Sequence, residues 1–249
     1  MKAKLKWLGV TIVALLLCVG AYALLRTGIV QLNRPSVAEY PVRGVDVSAY
    51  QGDIDWSILA GQGIDFAYIK ATEGSSFVDP CFTQNQRSAA ETPLRTGAYH
   101  FFSFESSGSM QADNFIAHVS EWNGMLPPVV DVELYGTFKR NPLPAEQVQE
   151  ELSEMLARLE KHYGVKPLLY TTQSAYARYL SGFDGYDIWI RNVFTRPRIG
   201  KRNWTFWQYT DRMQLSGYSG EERFIDMNVF KGSRVEFEQY GLKHDGRKS

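Results

Sequence analysis

Cysteine is scarce in this chain: of 249 residues only Cys18 and Cys81 carry a thiol. Cys18 lies inside an apolar run, so no disulfide framework can form and stability must come from packing. No base flanks Cys81 to activate it, which makes it a partly buried free thiol rather than a nucleophile. Histidine is equally sparse, and His100, His118, His162 and His244 show neither the His-x-x-x-His spacing of a zinc protease nor a cysteine partner. There is no Gly-x-x-x-x-Gly-Lys loop, and neither Ser48 nor Ser103 sits in a nucleophile elbow. Metal, phosphate and serine-hydrolase chemistry thus lack their residues, and no cofactor is expected.

An excess of positive charge is also missing. Lys plus Arg and Asp plus Glu each number 27, yet Lys2, Lys4, Lys6 and Arg26 fall in the first 26 residues, where there is no acid. The remainder is mildly acidic. Nucleic acid is therefore not an expected partner, because binding phosphate needs a basic surface. What is present in quantity is apolar and flat: 44% hydrophobic and 14% aromatic residues, enough for one substantial core but not for two large domains. One catalytic-sized domain, acting as a monomer, is the expectation.

The amino terminus decides the compartment. Trp7 to Leu25 form 19 positions without a charge behind three lysines, long enough to cross a bilayer as a helix with the body outside. Ala21-Tyr22-Ala23 has the small-x-small form of a signal-peptidase site, so cleavage is the competing outcome. A lipoprotein needs a small residue before its cysteine, and Leu17 precedes Cys18. Length favours the anchor. All three outcomes put the body outside the cytoplasm, in the periplasm or cell wall if the segment is cut. The expected organisation is an anchor or signal peptide over 1–26, a polar linker over 27–40, a barrel domain over 41–242 and a polar tail over 243–249.

From Pro41 onward, short β-branched and aromatic runs alternate with amphipathic ones, the pattern of strand-helix units around a parallel sheet. Eight strands are expected near 44–48, 66–71, 96–102, 129–134, 167–171, 188–192, 205–209 and 224–228. The clearest helix runs from Pro144 to Tyr163, with Val148, Leu152, Met155, Leu156, Leu159 and Tyr163 on one face and Gly164 as its stop. Others are expected near Ser109 to Trp122 and Ser233 to Tyr240. The fold class implied is α/β, a (β/α)8-like barrel at the small end for its type, irregular and with some helices short or missing. Barrels of this kind place chemistry at the carboxyl ends of their strands, so polar residues there carry extra weight.

Asp131-Val132-Glu133 follows Pro127-Pro128-Val129-Val130, which sets two carboxylates at i and i+2 on a strand and hence on one face. Burying both is costly, since an ionised carboxylate loses hydration and its neighbour repels it. At its upper end that repulsion keeps one acid protonated near neutrality. A protonated acid beside an ionised one is what glycosidic cleavage needs, and Glu133 is assigned as the proton donor. Pairing of both with Arg or Lys at a strand end is the structural alternative. Asp46, in Gly44-Val45-Asp46-Val47-Ser48, stands at the end of the first strand, and Asp226, in Phe224-Ile225-Asp226-Met227-Asn228, on the last. First and last strands are neighbours in a closed barrel, so both could reach the same mouth; either alone could be a cap or turn residue. Tyr99, Phe101, Tyr170, Trp189, Trp207 and Gln208 gather at the same strand ends. Such residues suit the apolar faces and hydroxyl edges of sugars, though any single aromatic also suits a core.

These residues together resemble a known family. Arg43-Gly44-Val45-Asp46-Val47-Ser48, Tyr50-Gln51-Gly52, Ile54-Asp55-Trp56, Ile69-Lys70-Ala71-Thr72-Glu73-Gly74, Gly97-Ala98-Tyr99-His100-Phe101, Asp131-Val132-Glu133, Phe206-Trp207-Gln208-Tyr209 and Ile225-Asp226-Met227-Asn228 resemble glycoside hydrolase family 25, in order from about residue 43 to 230. The resemblance implies a barrel-like lysozyme, an N-acetylmuramidase cleaving the β-1,4 bond after N-acetylmuramic acid in peptidoglycan glycan strands, without metal or organic cofactor. It implies Glu133 as general acid, Asp131 as the residue assisting the substrate acetamido group, and Asp46 and Asp226 as supporting acids. Lys70, Tyr99, Tyr170, Trp189 and Gln208 would line the sugar subsites. The i, i+2 spacing falls nearer the inverting window for paired carboxylates, whereas the resemblance implies substrate-assisted retention. The chain departs from the pattern after Trp189, where Ile190-Arg191-Asn192 replaces a small residue and a nearby aromatic. A silent glycan-binding module and a hydrolase for another amino-sugar polymer are the competing functions.

Overall fold

The computed structural model describes residues 2–119, 124–200 and 202–242. In chain order the elements are α1 (Lys2–Arg26), β1 (Arg43–Val47), α2 (Trp56–Ala60), β2 (Phe66–Glu73), β3 (Phe77–Val78), α3 (Phe82–Ala89), β4 (Arg95–Phe101), α4 (Gly108–His118), β5 (Val129–Val132), α5 (Ala145–Tyr163), β6 (Leu168–Thr172), α6 (Gln173–Tyr179), β7 (Ile188–Arg191), β8 (Phe206–Met213), β9 (Ile225–Phe230) and α7 (Arg234–Gln239). Eight strands close into a barrel because β1 pairs with both β9 and β2, while β3 is a two-residue hairpin arm on β2.

All eight expected strands form, but the expected parallel sheet is mixed. β9 runs antiparallel to both β8 and β1. A parallel return needs a crossover, usually helical, and the 214–224 turn holds none; it folds back so that Gly220 N and Glu222 N donate to Gln51 O and Tyr50 O at 2.8 and 3.0 Å. Asp226 therefore stands near the start of its strand, not the end, and the reversal brings it to the mouth. No helix lies between β7 and β8 among the described residues. α4 is shorter than the expected helix, and Trp122, His244 and the 243–249 tail lie outside the described residues.

Alternation along each strand sorts the core into two layers. Val45, Val47, Ala67, Ile69, Val130, Val132, Leu169 and Ile190 turn outward to the helices, where α5 contributes its Val148, Leu152, Met155, Leu156 and Leu159 stripe. α5 stops at Gly164, which takes the left-handed conformation at φ 68°. The inward set is an aromatic plug. Tyr68 stacks on Trp189 at 5.0 Å, and Phe66 meets Phe206 at 5.2 Å and Phe237 of α7 at 5.4 Å. Two glycines make room for it: a Cβ on Gly44 would lie 2.4 Å from the Phe66 ring, and one on Gly97 2.2 Å from Tyr68. The plug fills the floor and middle of the barrel, so polar side chains one step further along the strands stand at its mouth.

The segment read as a polar linker lies against the barrel wall. Asn33 is buried and donates to Asn192 O and Tyr209 O, both at 3.1 Å, and Tyr40 packs on Trp204 and Trp207. α1 is the one described helix long and apolar enough to cross a membrane, with mean hydropathy 2.0 over Gly9–Arg26 and none of that window buried.

Candidate active site

The mouth holds an open pit of about 560 Å³ lined by Asp46, Tyr99, Phe101, Val129, Asp131, Glu133, Tyr170, Trp189, Arg191 and Asp226. It continues into a groove of about 980 Å³ that shares Asp46, Tyr99, Phe101 and Asp226 and adds Tyr50, Gln51 and Lys70. Each side chain arrives by strand alternation. Asp131 is the third residue of β5 and Glu133 follows its end, so both face inward with Val129 below them. Asp46 and Asp226 are register partners across the β1–β9 seam.

All four carboxylates, and Tyr99, Tyr170 and Trp189, thus lie around one pit, with Lys70 in the adjoining groove. Gln208 is placed beneath it, only 1% exposed, as a brace: its Nε2 donates to Asp46 at 3.0 Å and to Asp226 at 3.1 Å, while its Oε1 accepts from the Tyr170 hydroxyl at 3.0 Å. Trp189 is also mostly buried and donates to Asn228 Oδ1 at 2.8 Å, whose Nδ2 donates to Asp46 Oδ2 at 2.7 Å. Sequence reasoning gave Asn228 no role. The signal was available, since Asn228 stands two residues from Asp226 and shares its face.

Among the described residues none of the four acids is in a salt bridge. The nearby cations are taken elsewhere: Lys70 pairs with Glu73 at 2.7 Å and Arg191 with Asp211 at 2.6 Å. Arg191, the departure noted in the sequence, points into the pit. Asp131 is 8% exposed and its Oδ1 has no hydrogen-bond partner within the protein.

Electrostatics follow from that burial. Desolvation pushes the Asp131 carboxyl well above the usual range, Glu133 adds to the rise, and Lys70 opposes it. Desolvation also raises Glu133, against the pull of Arg191. Asp226 is driven well up by desolvation and by the charge on Asp46. Asp46 is raised by desolvation too, but Asn228, Gln208 and Asp226 donate to it, so Asp46 is the ionised member of that pair and Asp226 holds the proton. Tyr99 and Tyr170 are held well above the ordinary phenol range by burial and then by the acids, and so stay neutral.

A closed barrel with buried, proton-sharing carboxylates in an open, aromatic-walled pit is the arrangement of a hydrolase that works by acid and base chemistry. Residues 45–218 match the model of the family described as Glycosyl hydrolases family 25. A family 25 glycosyl hydrolase from Bacillus anthracis has a similar structure, with a TM-score of 0.81 and 52% identity, covering 86% of this chain and 98% of that one. The bacterial lysozyme of Streptomyces coelicolor gives a TM-score of 0.73 at 31% identity, over 80% of this chain and 96% of its own. Lysozyme M1 of Streptomyces globisporus is 34% identical over 210 residues, 77% of this chain and 68% of that protein. The chain belongs to glycosyl hydrolase family 25, and it is a glycoside hydrolase.

Proposed function

We propose that the chain is a muramidase that cleaves the β-1,4 bond between N-acetylmuramic acid and N-acetylglucosamine in peptidoglycan, with Glu133 as proton donor and Asp131 assisting the substrate acetamido group. The observation that carries this is the Asp131–Glu133 pair in an open pit, in no salt bridge among the described residues and with one Asp131 oxygen unbonded. Relatives named as lysozymes and muramidases support the polymer chosen.

A buried carboxylate oxygen without a donor stabilises a ligand that brings one, and an acetamido N–H is such a donor. Once that N–H bonds to Asp131, the ionised form of Asp131 is favoured and the proton shared by the pair rests on Glu133. Glu133 then gives it to the leaving glycosidic oxygen while the acetamido oxygen closes on the anomeric carbon. The resulting Glu133 carboxylate next removes a proton from the water that reopens the ring, so configuration is retained. Tyr99 and Tyr170 supply neutral walls, and Asp46, Asp226, Gln208 and Asn228 form the braced floor that fixes the sugar's position. Lys70 in the groove and Trp189 at the base complete the subsites.

α1 acts as a membrane anchor with the body outside the cytoplasm, or as an exported enzyme's signal peptide if cut. The enzyme works as a monomer in this reading. Digestion of purified peptidoglycan followed by muropeptide analysis tests the proposal. New reducing ends on N-acetylmuramic acid are expected; binding without release would make the chain a glycan-binding module, and release from only another amino-sugar polymer would refute the substrate.

A further inference from the structure

The segment between α1 and β1 has a direction along the barrel. At the mouth end of β8, Arg212 Nη1 donates to Arg26 O and Gln214 Nε2 to Thr27 O, both at 3.1 Å. Gly28, at φ 71°, lies so close to the wall that a Cβ would be 2.5 Å from Arg212 O. Gln31 then reaches Met213 Sδ at 3.5 Å, and Asn33 bridges the loop after β7 and the middle of β8. Tyr40 packs on Trp204 and Trp207, where β8 begins, and Arg43 opens β1 at the floor. The chain therefore leaves α1 at the mouth and descends to the floor before the barrel starts.

Two further observations concern the mouth. A crevice of about 950 Å³ at the end of α1 is lined by Tyr22, Leu25 and Phe194 and by Arg191 and Asp211, so the ion pair bordering the catalytic pit also borders the last turn of the apolar helix. Ile29, Leu32 and Phe194 are 65%, 54% and 69% exposed there, an apolar rim continuous with α1. Large apolar side chains left in water at one place mark a surface that something else covers. A bilayer suits this one, because α1 enters it at this edge and Arg26, Arg212 and Arg223 stand nearby to meet lipid phosphates.

Resting on the anchor reading above, we propose that the strap from Thr27 to Tyr40 fixes the barrel with its catalytic mouth facing the membrane, the Ile29, Leu32 and Phe194 rim at the lipid surface, so that the substrate is the glycan strand lying next to the bilayer rather than the wall at large. The groove begins at Asp211 and Arg212 beside the strap and runs past Asp46 and Asp226 to Tyr50 and Lys70. A strand parallel to the membrane can enter along it. Fixed height and orientation raise the effective concentration of mouth and membrane-proximal substrate without any new contact.

The test uses the full chain, carrying Cys18→Ser and Cys81→Ser, with one fluorophore on Glu221→Cys at the mouth or Glu238→Cys at the floor, in phosphatidylethanolamine and phosphatidylglycerol vesicles containing a headgroup-level quencher. The mouth probe should be strongly quenched and the floor probe little. Equal quenching, or stronger quenching at the floor, overturns the proposal, as does recovery of the protein off the vesicles. A flexible spacer inserted between Thr27 and Gly28 should abolish the difference and lower turnover of vesicle-borne, lipid-linked glycan several-fold, while cleavage of soluble fragments in detergent stays unchanged. An unaltered vesicle turnover would also overturn it. Loss of soluble-fragment cleavage in the unmodified chain, with the mouth probe still quenched, would refute the muramidase reading and leave the orientation standing.

Discussion

Asp46 and Asp226 face each other across the antiparallel β1–β9 seam, and a single amide nitrogen, Gln208 Nε2, reaches both, at 3.0 and 3.1 Å. Two carboxylates this close cannot both ionise cheaply, so the pair keeps a proton, on Asp226. A group whose folded pKa is raised stabilises the fold fully below its unfolded pKa and loses that contribution as pH rises through the folded value. Asp226→Asn keeps the shape and the donor to Asp46 without the proton. The variant should match the parent's Tm near pH 4 and exceed it increasingly towards pH 8, by thermal melts across that range; a constant difference would remove the proton from Asp226.

His100 gives the opposite slope. Desolvation holds its imidazole down at about 4, with Lys70 adding to the fall and Gln111 opposing it. Thr72 Oγ1 lies 2.7 Å from Nδ1 and Gln111 Oε1 3.1 Å from Nε2, which suits a neutral ring donating from Nε2. The unfolded chain binds this proton below the usual 6.5, so stability should be lost as pH falls from 6.5 towards 4, by about 3 kcal/mol in all. Denaturant titrations of parent and His100→Gln should diverge over that interval, the variant being flatter.

Glu133→Gln should lower turnover of peptidoglycan about 10²- to 10⁴-fold while glycan binding persists, since the amide keeps the shape but cannot donate the proton. Reducing-end release and sedimentation with insoluble peptidoglycan measure the two separately. Turnover at the parental rate would move the donor elsewhere.

Arg191 pulls Glu133 down against burial, so Arg191→Met should let the Glu133 pKa rise. The alkaline limb of the kcat profile, where the protonated donor is lost, should then move to higher pH; if Glu133 acts only as a base, the acidic limb moves to higher pH instead. Asp211 loses its partner in the same variant and is the control, because Asp211→Asn should leave that limb closer to the parent's.

Gly97→Ala should cost about 1–3 kcal/mol, by overpacking against Tyr68, which is fully buried and stacked on Trp189. Chemical denaturation measures it. A second change, Tyr68→Leu, should recover part of the loss in a double-mutant cycle, because it removes the atoms the new methyl meets.

Much of this molecule is written locally. The α5 stripe and its Gly164 stop, the eight strands, and the shared face of Asp131 and Glu133 follow from periods of 3.6 and 2, which depend only on neighbours in the chain. Short helices such as α2, α3 and α6 were missed because a helix of five to eight residues shows too few turns to set a period.

Closure of the barrel was a different kind of fact. The sequence by itself determined which acids exist, which strands carry them and which face they take. Only the tertiary structure decided that β9 turns back, that this reversal lifts Asp226 to the mouth opposite Asp46, that Gln208 and Asn228 brace the acids from below, and that the chain from α1 enters at the mouth. The reason is physical: a side chain's direction is set by its own backbone, whereas its partners are set by which distant strands find it cheapest to share hydrogen bonds.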